Sequence, residues 1–579
     1  MPNSWRHLLS AAMILPCVSN TLAAPVENSS QSPKCRFIPS DAGWPSVTDW
    51  NSLNQSISGR LIAGQPLAHS CHGEAFVQSL CASIEESYDN PIVYFPDPVN
   101  IMSPLFLNDS CSPYTSPSSP CTLGNLASYA VNVSSADDAV AAFKFATEKN
   151  IRVVIKNTGH DYLGRSTGKG ALSLWTHNLN EISYLNYTSE QYTGPAVKVG
   201  AGVQAFDLYK SAFENGFRVT GGFCPTVGLV GGWVSGGGHG ALGSLYGLGA
   251  DNALEFDVVT PDGQHLTASA TENADLYWAL SGGGGGTYGV VISMTEKVHK
   301  DGQTAGAAMT FMNTDDDAYW AAIESWQKQL LIFDDINGMN TFWGFTDKLF
   351  TLFFSTLPDA DEAAIIAAFD PFISELKTLG VQYTYQTSQK PTFYEHFSLY
   401  TPDLPFGDYI TNNTLGGWLI PRTTVQQNLT ALMSVFRNIT TKNPTHPFQI
   451  NGVANNVTHQ RVGNSADSNS VLPAWRDSLY WLNMDVDFAL DGPMSVITDL
   501  QAEMNVNQNM LKALTPGGGA YINEATYDNP DWKQDYFGAN YDQLLSIKQK
   551  YDPESILYGA ASVGSDSWAP DSEGRLCAA

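Results

Sequence analysis

Glycine is concentrated in two stretches of this chain, residues 221–243 and the uninterrupted run 282–286. Because glycine has no Cβ, it tolerates backbone conformations with positive φ and lets the backbone approach a neighbour closely. Backbone N–H groups exposed in this way can hold a pyrophosphate. Each stretch alone could be an ordinary turn or a flexible loop. We interpret both, together with the turn at 157–161, as places where the backbone comes close to such a ligand.

One part of the glycine-rich stretch also matches the nucleotide-binding pattern G-x-G-x-x-G. The match is Gly238-His-Gly240-Ala-Leu-Gly243, and Asp257 follows about 20 residues further on. In a Rossmann domain this pattern comes directly after a strand and opens a helix. Here the preceding residues, Trp233-Val-Ser-Gly-Gly, do not have the pattern of a strand. We therefore predict that this is not a Rossmann domain.

A histidine and a cysteine stand next to these glycine turns. His160 follows an alternating, β-branched run at 152–156 and the turn Asn157-Thr158-Gly159, and Cys224 stands in Gly221-Gly222-Phe-Cys224-Pro. In this order and context the chain resembles the berberine-bridge-enzyme-like group of the vanillyl-alcohol oxidase / p-cresol methylhydroxylase superfamily of flavoproteins. The resemblance implies FAD bound covalently at two points, with His160 on the flavin 8α-methyl and Cys224 on ring carbon 6.

The same resemblance implies the residues that surround the cofactor. It assigns to the FAD site Asn157, Thr158, Gly159, Asp161, Val227, Gly228, Gly231, Gly232, Gly238, Gly240, Asn523 and Asn540, and it puts 250–252 at or near the cofactor. No histidine spacing typical of a metal site is present, so no metal is expected.

The expected reaction is oxidation of an alcohol CH–OH group, with a base removing the hydroxyl proton. Many relatives carry Tyr-x-Asn-Tyr, whose last tyrosine is the base, but this chain reads Tyr521-Ile-Asn523-Glu524. Glu524 is the first candidate for the base, although it could be a structural carboxylate. Tyr521, Tyr527 and Tyr541 are the alternatives.

Val227 matches a position that controls access of oxygen to the flavin in relatives. A small side chain there is typical of oxidases, so we expect O2 as electron acceptor and H2O2 as product, although Val227 could also serve packing alone. The expected substrate is a small-molecule alcohol. A sugar oxidised at its hemiacetal carbon, as in an oligosaccharide oxidase, is the second hypothesis. A secreted flavoprotein without turnover is the third.

The order of predicted elements indicates an α+β fold with two domains, as the chain is longer than one core usually supports. We predict a p-cresol methylhydroxylase-type FAD-binding domain at 121–300 and a substrate domain, a sheet backed by helices, at 301–514. A disulfide-stapled segment at 24–120 precedes them. A berberine-bridge-like segment at 515–579 returns to the FAD domain.

The beginning of the chain has the pattern of a secretory signal peptide. Arg6 and His7 precede an apolar run at 8–18, and small residues follow, which predicts a signal peptide over 1–23. Nine Asn-x-Ser/Thr sequons fit a secreted, glycosylated protein. The net charge of −28 argues against nucleic acid and anionic membranes as partners. We expect an extracellular monomer.

The cysteine count is consistent with secretion and with a special role for Cys224. Without Cys17 in the predicted signal peptide, seven cysteines remain, and an odd number in a secreted protein indicates one with another function. If Cys224 binds the flavin, six can form three disulfides. The equal spacings of Cys71 to Cys81 and of Cys111 to Cys121 favour local pairs, which leaves Cys35 with Cys577. Fifteen pairings are possible from sequence alone.

Overall fold

The structure is a computed structural model that describes residues 34–407 and 411–579. The predicted signal peptide, Cys17 and the sequon at Asn28 lie outside the described residues.

A small sheet presents the turn that carries His160. Its four strands, in spatial order, are Leu61–Ala63, Tyr129–Asn132, Leu172–Trp175 and Val153–Lys156. The last three run parallel, and Leu61–Ala63 pairs antiparallel at the edge. The alternating, β-branched run at 152–156 forms the strand Val153–Lys156, and helix Ala136–Glu148 buries Phe143 near it in the same apolar cluster. The chain leaves the end of Val153–Lys156 directly into the turn at 157–161.

The second sheet is antiparallel, and its strands follow those of the first sheet in the sequence. Its five strands, in spatial order, are Ile182–Thr188, Thr193–Gly200, Val290–Lys297, Ala253–Val259 and His265–Ser269. Helices Ala205–Glu214 and Ala274–Leu280 bury apolar side chains against this sheet, in the same core cluster as its central strands.

A seven-stranded antiparallel sheet dominates the later part of the chain. Its strands, in spatial order, are Tyr383–Lys390, Thr304–Met312, Leu349–Pro358, Asn340–Phe345, Gln449–Ala454, Ser478–Asp487 and Asn413–Pro421. The long helices that accompany it are Asp316–Asp335, Glu362–Leu379, Leu429–Thr441 and Met494–Leu514. The side chain of Trp326 is fully buried in the layer between helices and sheet, with its ring centroid 5.1 Å from Phe350 on a strand and 5.1 Å from Phe372 on a helix.

Two of these long helices begin with an aspartate that caps the N-terminus. Asp315 caps helix Asp316–Asp335, because its Oδ1 accepts a hydrogen bond of 3.0 Å from the backbone N–H of Ala318. Asp361 caps the next long helix in the same way, with a hydrogen bond of 2.9 Å from Ala364 N.

Shorter elements connect these layers. The remaining α-helices are Val47–Ser56, Gln78–Ser87, Gly243–Tyr246, Gly249–Asn252, Phe393–Tyr400, Arg422–Gln427, His459–Val462, Ala474–Asp477 and Tyr541–Tyr551. Turns of π-helix span Leu229–Trp233 and Lys533–Phe537. Turns of 3₁₀-helix span Leu67–Cys71, Gly73–Ala75, Pro91–Val93, Pro104–Leu107, Gly538–Asn540 and Ser565–Ser567. Two short strand pairs join Phe217–Arg218 with His299–Lys300, and Trp568–Pro570 with Leu576–Ala578.

The predicted α+β class is confirmed, and so is the rejection of a Rossmann domain. A helical turn, Leu229–Trp233, precedes Gly238, so no strand leads into the G-x-G-x-x-G pattern. The exact domain boundaries remain predictions. Across both described ranges, no helix has the length and apolarity needed to cross a membrane.

The three disulfides favoured by cysteine spacing are confirmed. They are Cys35–Cys577, Cys71–Cys81 and Cys111–Cys121. The first joins residues 542 positions apart, so it ties the beginning of the described chain to its end.

Candidate functional site

One large cavity, of about 810 Å³, lies between the glycine-rich segments and one face of the seven-stranded sheet. Most of the predicted site residues line it. These are Asn157, Thr158, Gly159, His160, Asp161, Cys224, Val227, Gly228, Gly231, Gly232, Tyr521, Asn523 and Glu524.

His160 and Cys224 meet at the wall of this cavity. The imidazole Nε2 of His160 lies 4.0 Å from Sγ of Cys224, and the hydroxyl of Thr226 lies 2.7 Å from the same Nε2. The Thr226 hydroxyl also lies 3.5 Å from Cys224 Sγ. Thr226, which is not among the predicted site residues, therefore contacts both side chains.

The surroundings of His160 keep its ring uncharged. Burial, and then the charge of the nearby Lys156, lower the pKa of His160 to about 3. Lys156 itself donates hydrogen bonds of 3.0 and 2.6 Å to the carbonyls of Tyr94 and Asp97, and burial lowers its pKa to about 8. A neutral imidazole keeps a lone pair on one nitrogen, which is the form able to act as a nucleophile.

The turn around His160 is fixed by polar contacts. Gly159 has a φ of +89°, a conformation that favours glycine. Asp161 accepts hydrogen bonds from the backbone N–H of Leu163 at 3.1 Å and of Ser166 at 2.8 Å. Asn157 donates through Nδ2 to the carbonyl of Ala201. These contacts hold the turn in shape, so Asn157 and Asp161 support the site as well as lining it.

Three glycines leave the cavity floor open. A Cβ added to Gly231, Gly232 or Gly286 would meet no atom within 4 Å, although all three line the cavity. Gly285 has a different role, since its Cβ would come 2.7 Å from the Cα of Gly232. The two glycine-rich stretches therefore pack directly against each other and together present bare backbone to the cavity.

Three predicted cofactor residues do not line the cavity. A Cβ on Gly240 would lie 1.8 Å from the carbonyl oxygen of Gly221, and one on Gly238 would lie 2.9 Å from the ring of Trp233. Both glycines permit tight packing of the chain on itself. Asn540 uses its amide to donate hydrogen bonds of 3.1 and 3.2 Å to the carbonyls at 470 and 471.

The segment 250–252, expected at or near the cofactor, holds a buried ion pair instead of lining the cavity. Asp251 receives two hydrogen bonds from the guanidinium of Arg476, at 2.9 and 2.8 Å, and its side chain is fully buried. Asn464 and Asn469 each donate 2.7 Å hydrogen bonds to the same carboxylate. This cluster joins the glycine-rich region to the segment between strands Gln449–Ala454 and Ser478–Asp487.

Glu524 is paired with a histidine inside the cavity. Its Oε1 lies 3.2 Å from Nε2 of His239, and both residues line the cavity. The Glu524 side chain is 24% exposed and that of His239 is 7% exposed, so the carboxylate is the more accessible partner. The ring of His239 lies between Trp481, at 4.9 Å, and Tyr521, at 5.1 Å, which fixes its orientation.

The three tyrosine alternatives for the base are placed less favourably. Burial, and then the Glu524 carboxylate, hold the pKa of Tyr521 well above its ordinary value, so its phenol stays protonated. Asn523 donates a 2.8 Å hydrogen bond to the Tyr521 oxygen. Tyr527 and Tyr541 are not among the lining residues of the cavity.

His239 and Arg165 also line the cavity, although neither belongs to the site predicted from the sequence. His239 stands between two glycines, and a polar side chain in a stretch of small residues is the feature that could have indicated its place in the site. Arg165 lies four residues after Asp161, and its Nε is 3.5 Å from that carboxylate. Trp481 also lines the cavity, whereas Trp343 and Trp418 are buried core residues.

Comparisons with known proteins agree with this arrangement. Residues 127–269 match a family described as "FAD binding domain", and residues 520–564 match "Berberine and berberine like". The VAO-type flavoprotein oxidase VAO615 of Thermothelomyces thermophilus is 41% identical over 589 aligned residues, covering 100% of both chains.

Solved structures give the same result for the fold. The crystal structure of the VAO-type flavoprotein MtVAO615 from Myceliophthora thermophila matches with a TM-score of 0.90 at 41% identity, over 94% of this chain and 100% of that one. Glucooligosaccharide oxidase from Acremonium strictum, described with a 6-S-cysteinyl, 8α-N1-histidyl FAD, shares the fold at 18% identity with a TM-score of 0.60, over 76% of this chain and 92% of that one. The chain therefore belongs to the berberine-bridge-enzyme-like family of VAO-type, FAD-dependent oxidoreductases.

Proposed function

We propose that this protein is a secreted oxidase that holds FAD by covalent bonds to His160 and Cys224. It oxidises the CH–OH group of a small-molecule alcohol to a carbonyl and reduces O2 to H2O2. The observation that carries the proposal is that one cavity is lined by His160, by Cys224 and by the Glu524–His239 pair.

The cavity fits FAD in three respects. The Nε2 and Sγ atoms of His160 and Cys224 are 4.0 Å apart, which suits attachment to two positions on the same edge of one flat ring. The open glycines at 231, 232 and 286 leave room that any Cβ would fill. Among the described residues, Nη1 of Arg165 and Oδ1 of Asn157 are buried without a hydrogen-bond partner, so they can meet polar groups of the cofactor.

FAD held by His160 and Cys224 would supply the two-electron acceptor, at N5, for the hydride of the substrate, and O2 would in turn be reduced to H2O2. The protein supplies the proton acceptor. Glu524 is the best candidate, because its carboxylate lines the cavity, is 24% exposed and lies next to His239. His239, held 3.2 Å away, can donate its Nε2 proton to one carboxylate oxygen and so orient the other towards a substrate hydroxyl.

Val227 supports O2 as the acceptor. It lines the cavity three residues after Cys224, and its backbone is fixed by a 3.0 Å hydrogen bond from Ala205 N to its carbonyl. By the family resemblance, a small side chain at this position is typical of oxidases. We propose that oxygen reaches the flavin there.

Secretion and glycosylation belong to the same proposal. Three disulfides are typical of proteins from oxidising compartments. Of the sequon asparagines that the structure describes, four are exposed: Asn108, Asn186, Asn428 and Asn438. Expression with the native leader in a fungal host should deliver a glycosylated protein to the medium, beginning near residue 24 by N-terminal sequencing. Retention of an uncleaved chain inside the cells would contradict this.

The reaction is tested by a screen that measures both O2 consumption and H2O2 formation. The panel contains benzylic, allylic and aliphatic alcohols together with reducing mono- and oligosaccharides. We expect peroxide with one or more of the alcohols and no reaction with the sugars. Peroxide only with sugars would favour an oligosaccharide oxidase, and no peroxide with any hydroxyl compound would favour a flavoprotein without turnover.

A further inference from the structure

Thr226 lies within the cavity wall, next to both of the side chains proposed to hold the flavin. It is 1% exposed and is not one of the described residues that line the cavity. Its hydroxyl oxygen lies 2.7 Å from Nε2 of His160 and 3.5 Å from Sγ of Cys224, so it is closer to each than the 4.0 Å that separates Nε2 from Sγ. One buried hydroxyl therefore contacts both attachment points.

The loop that carries this hydroxyl is held on both sides of it. The carbonyl of Pro225 accepts a 2.9 Å hydrogen bond from Phe206 N, and the carbonyl of Val227 accepts one of 3.0 Å from Ala205 N. Both donors belong to the first turn of the helix that begins at Ala205, where N–H groups have no partner within the helix. The helix therefore fixes the loop independently of the contacts that the hydroxyl makes.

A hydroxyl has one hydrogen, so Thr226 cannot donate to both neighbours at once. Two arrangements use both contacts. In the first, Thr226 accepts a hydrogen bond from Nε2–H of His160 and donates one to the sulfur of Cys224. In the second, Thr226 donates to Nε2 and accepts from the Cys224 S–H. His160 is neutral, because burial and then Lys156 lower its pKa to about 3, so it carries a single N–H whose place differs between the two arrangements.

Only the first arrangement leaves both side chains able to form a bond. With the hydrogen on Nε2, the lone pair of His160 is on Nδ1, and the hydrogen bond from Thr226 favours the thiolate of Cys224. The thiolate is the nucleophilic form of cysteine. In the second arrangement the sulfur stays protonated, and the imidazole lone pair faces Thr226. With a pKa of about 3, His160 is also a poor base for the thiol proton, so a hydrogen bond to the thiolate is the remaining form of assistance.

We propose that Thr226 is a positioning residue for both covalent bonds to the flavin. Its oxygen accepts a hydrogen bond from Nε2–H of His160, which places the lone pair on Nδ1, and its hydrogen is donated to the sulfur of Cys224, which stabilises the thiolate. The inference rests on the proposed attachment of FAD to these two residues. It assigns Thr226 a role in the maturation of the enzyme, separate from the turnover of substrate.

Each attachment is an oxidation, so it needs an electron acceptor. One C–H bond of the cofactor, at the 8α-methyl or at ring carbon 6, is replaced by a C–N or a C–S bond. The C–H hydrogen and the hydrogen of the N–H or S–H group leave as two protons, and two electrons remain on the flavin. O2, the acceptor in the proposed reaction, takes two electrons and two protons and leaves as H2O2. The oxygen of Thr226 is in contact with the Nε2 position from which His160 loses its proton.

The rate of attachment in variants that keep one attachment point tests this. Cys224→Ala leaves the bond to His160, and His160→Ala leaves the bond to Cys224. Each background is combined with Thr226→Val, which keeps the shape and lacks the hydroxyl, and with Thr226→Ser, which keeps the hydroxyl. Protein is sampled through induction. Intact mass gives the covalently loaded fraction, and FAD released by acid gives the flavin that is bound without a covalent bond.

Thr226→Val should slow attachment in both backgrounds, while total FAD binding and the melting temperature are retained. We expect the rate to fall about tenfold or more for Cys224, whose charged acceptor loses a hydrogen bond, and about two- to tenfold for His160. Thr226→Ser should attach FAD at close to the rate of the unchanged background, which a role in packing alone would not produce. Thr226→Ala repeats the measurement if Thr226→Val does not accumulate as folded protein.

Thr220→Val is the matched control in each background. Thr220 is buried in the segment that leads to Cys224, and its hydroxyl contacts Glu296, at 3.4 Å, instead of an attachment point. Its loss should leave the rate of attachment unchanged.

The proposal is overturned if Thr226→Val attaches FAD at an unchanged rate in either background, or if Thr226→Ser is as slow as Thr226→Val. Loss of folded, FAD-binding protein in both Thr226→Val and Thr226→Ala would show a structural role and overturn it as well. Wild-type protein without covalent FAD would overturn it together with the proposed attachment. Attachment that depends on Thr226, but no peroxide with any substrate, would contradict the proposed oxidase reaction and support the role of Thr226.

Discussion

His160 Nε2 and Cys224 Sγ lie 4.0 Å apart, although 64 residues separate them in the chain. His160 lies in the turn that follows a strand of the first sheet, and Cys224 lies in a glycine-rich loop. Neither side chain is held by its sequence neighbours alone. Their approach is a property of the fold, and it supports two anchoring points on one flavin ring.

Removing the anchors one at a time should separate their contributions. In the wild type and in His160→Ala or Cys224→Ala, the flavin should remain with the polypeptide after acid precipitation, because one bond is sufficient. In the double variant the flavin should be released entirely. Intact mass spectrometry measures the added FAD, and His265→Ala, an exposed histidine outside the cavity, serves as the control. If the flavin stays with the polypeptide of the double variant after acid precipitation, the assignment of His160 and Cys224 as its attachment points is wrong.

Glu524→Gln should abolish most of the turnover while the flavin stays attached. Loss of a general base typically lowers the rate about 10²- to 10⁴-fold. His239→Gln should have a smaller effect and should shift the pH profile of kcat, since the histidine acts through the carboxylate. Anaerobic stopped-flow reduction with the substrate found in the screen provides the measurement. Glu554→Gln, at an exposed carboxylate, is the matched control. A normal reduction rate in Glu524→Gln would remove this residue from the mechanism.

Enlarging Val227 should slow the reaction with oxygen but not the reaction with substrate. In Val227→Phe the larger ring would fill space beside the flavin. Reoxidation of the reduced enzyme in aerated buffer, followed by flavin absorbance, should be slower than in the wild type. The rate of anaerobic reduction is the internal control, and equal reoxidation rates would show that oxygen enters elsewhere.

A buried carboxyl should make the protein less stable as the pH rises. Burial raises the pKa of Glu296 to about 8 from its ordinary 4.5, and Thr220 gives it one hydrogen bond of 3.4 Å. The folded state keeps this proton while the unfolded state loses it. The stabilising contribution is therefore complete below pH 4.5 and declines up to about pH 8, by at most about 1.4 kcal/mol per pH unit.

Glu296→Gln should remove that decline, because glutamine resembles the protonated acid. The difference in free energy of unfolding between variant and wild type should grow in favour of the variant from pH 5 to pH 8. Urea unfolding at both pH values measures it, with Glu272→Gln, an exposed glutamate, as the control. The same difference at both pH values would show that Glu296 ionises normally.

Breaking the Asp251–Arg476 pair should destabilise the fold without touching the cavity. Removing one partner leaves a buried charge uncompensated, which costs about 3–5 kcal/mol. Arg476→Met should therefore lower the melting temperature strongly, and the double variant with Asp251→Leu should recover much of the loss. Breaking the exposed Glu324–Lys328 pair should cost about 0–1 kcal/mol. An equally small loss in Arg476→Met would contradict the structural role of the pair.

The sequence by itself determined the residue chemistry and much of the local structure. Alternating β-branched runs and glycine turns act through near neighbours, so the strand Val153–Lys156 and the local pairing of Cys71 with Cys81 could be predicted from short windows. The departure at Glu524 was equally visible, because it is a change of side chain within a short motif.

Only the tertiary structure decided which of these residues share a cavity. Gly238 and Gly240 have the same local pattern as Gly231 and Gly232, yet the first two pack against the chain and the last two face open space. His239 contacts Glu524 across 285 residues, and Asn451 lies opposite Asn483 only because of the strand register. Contacts of this kind form between segments that no local pattern connects, so long-range packing alone determines them.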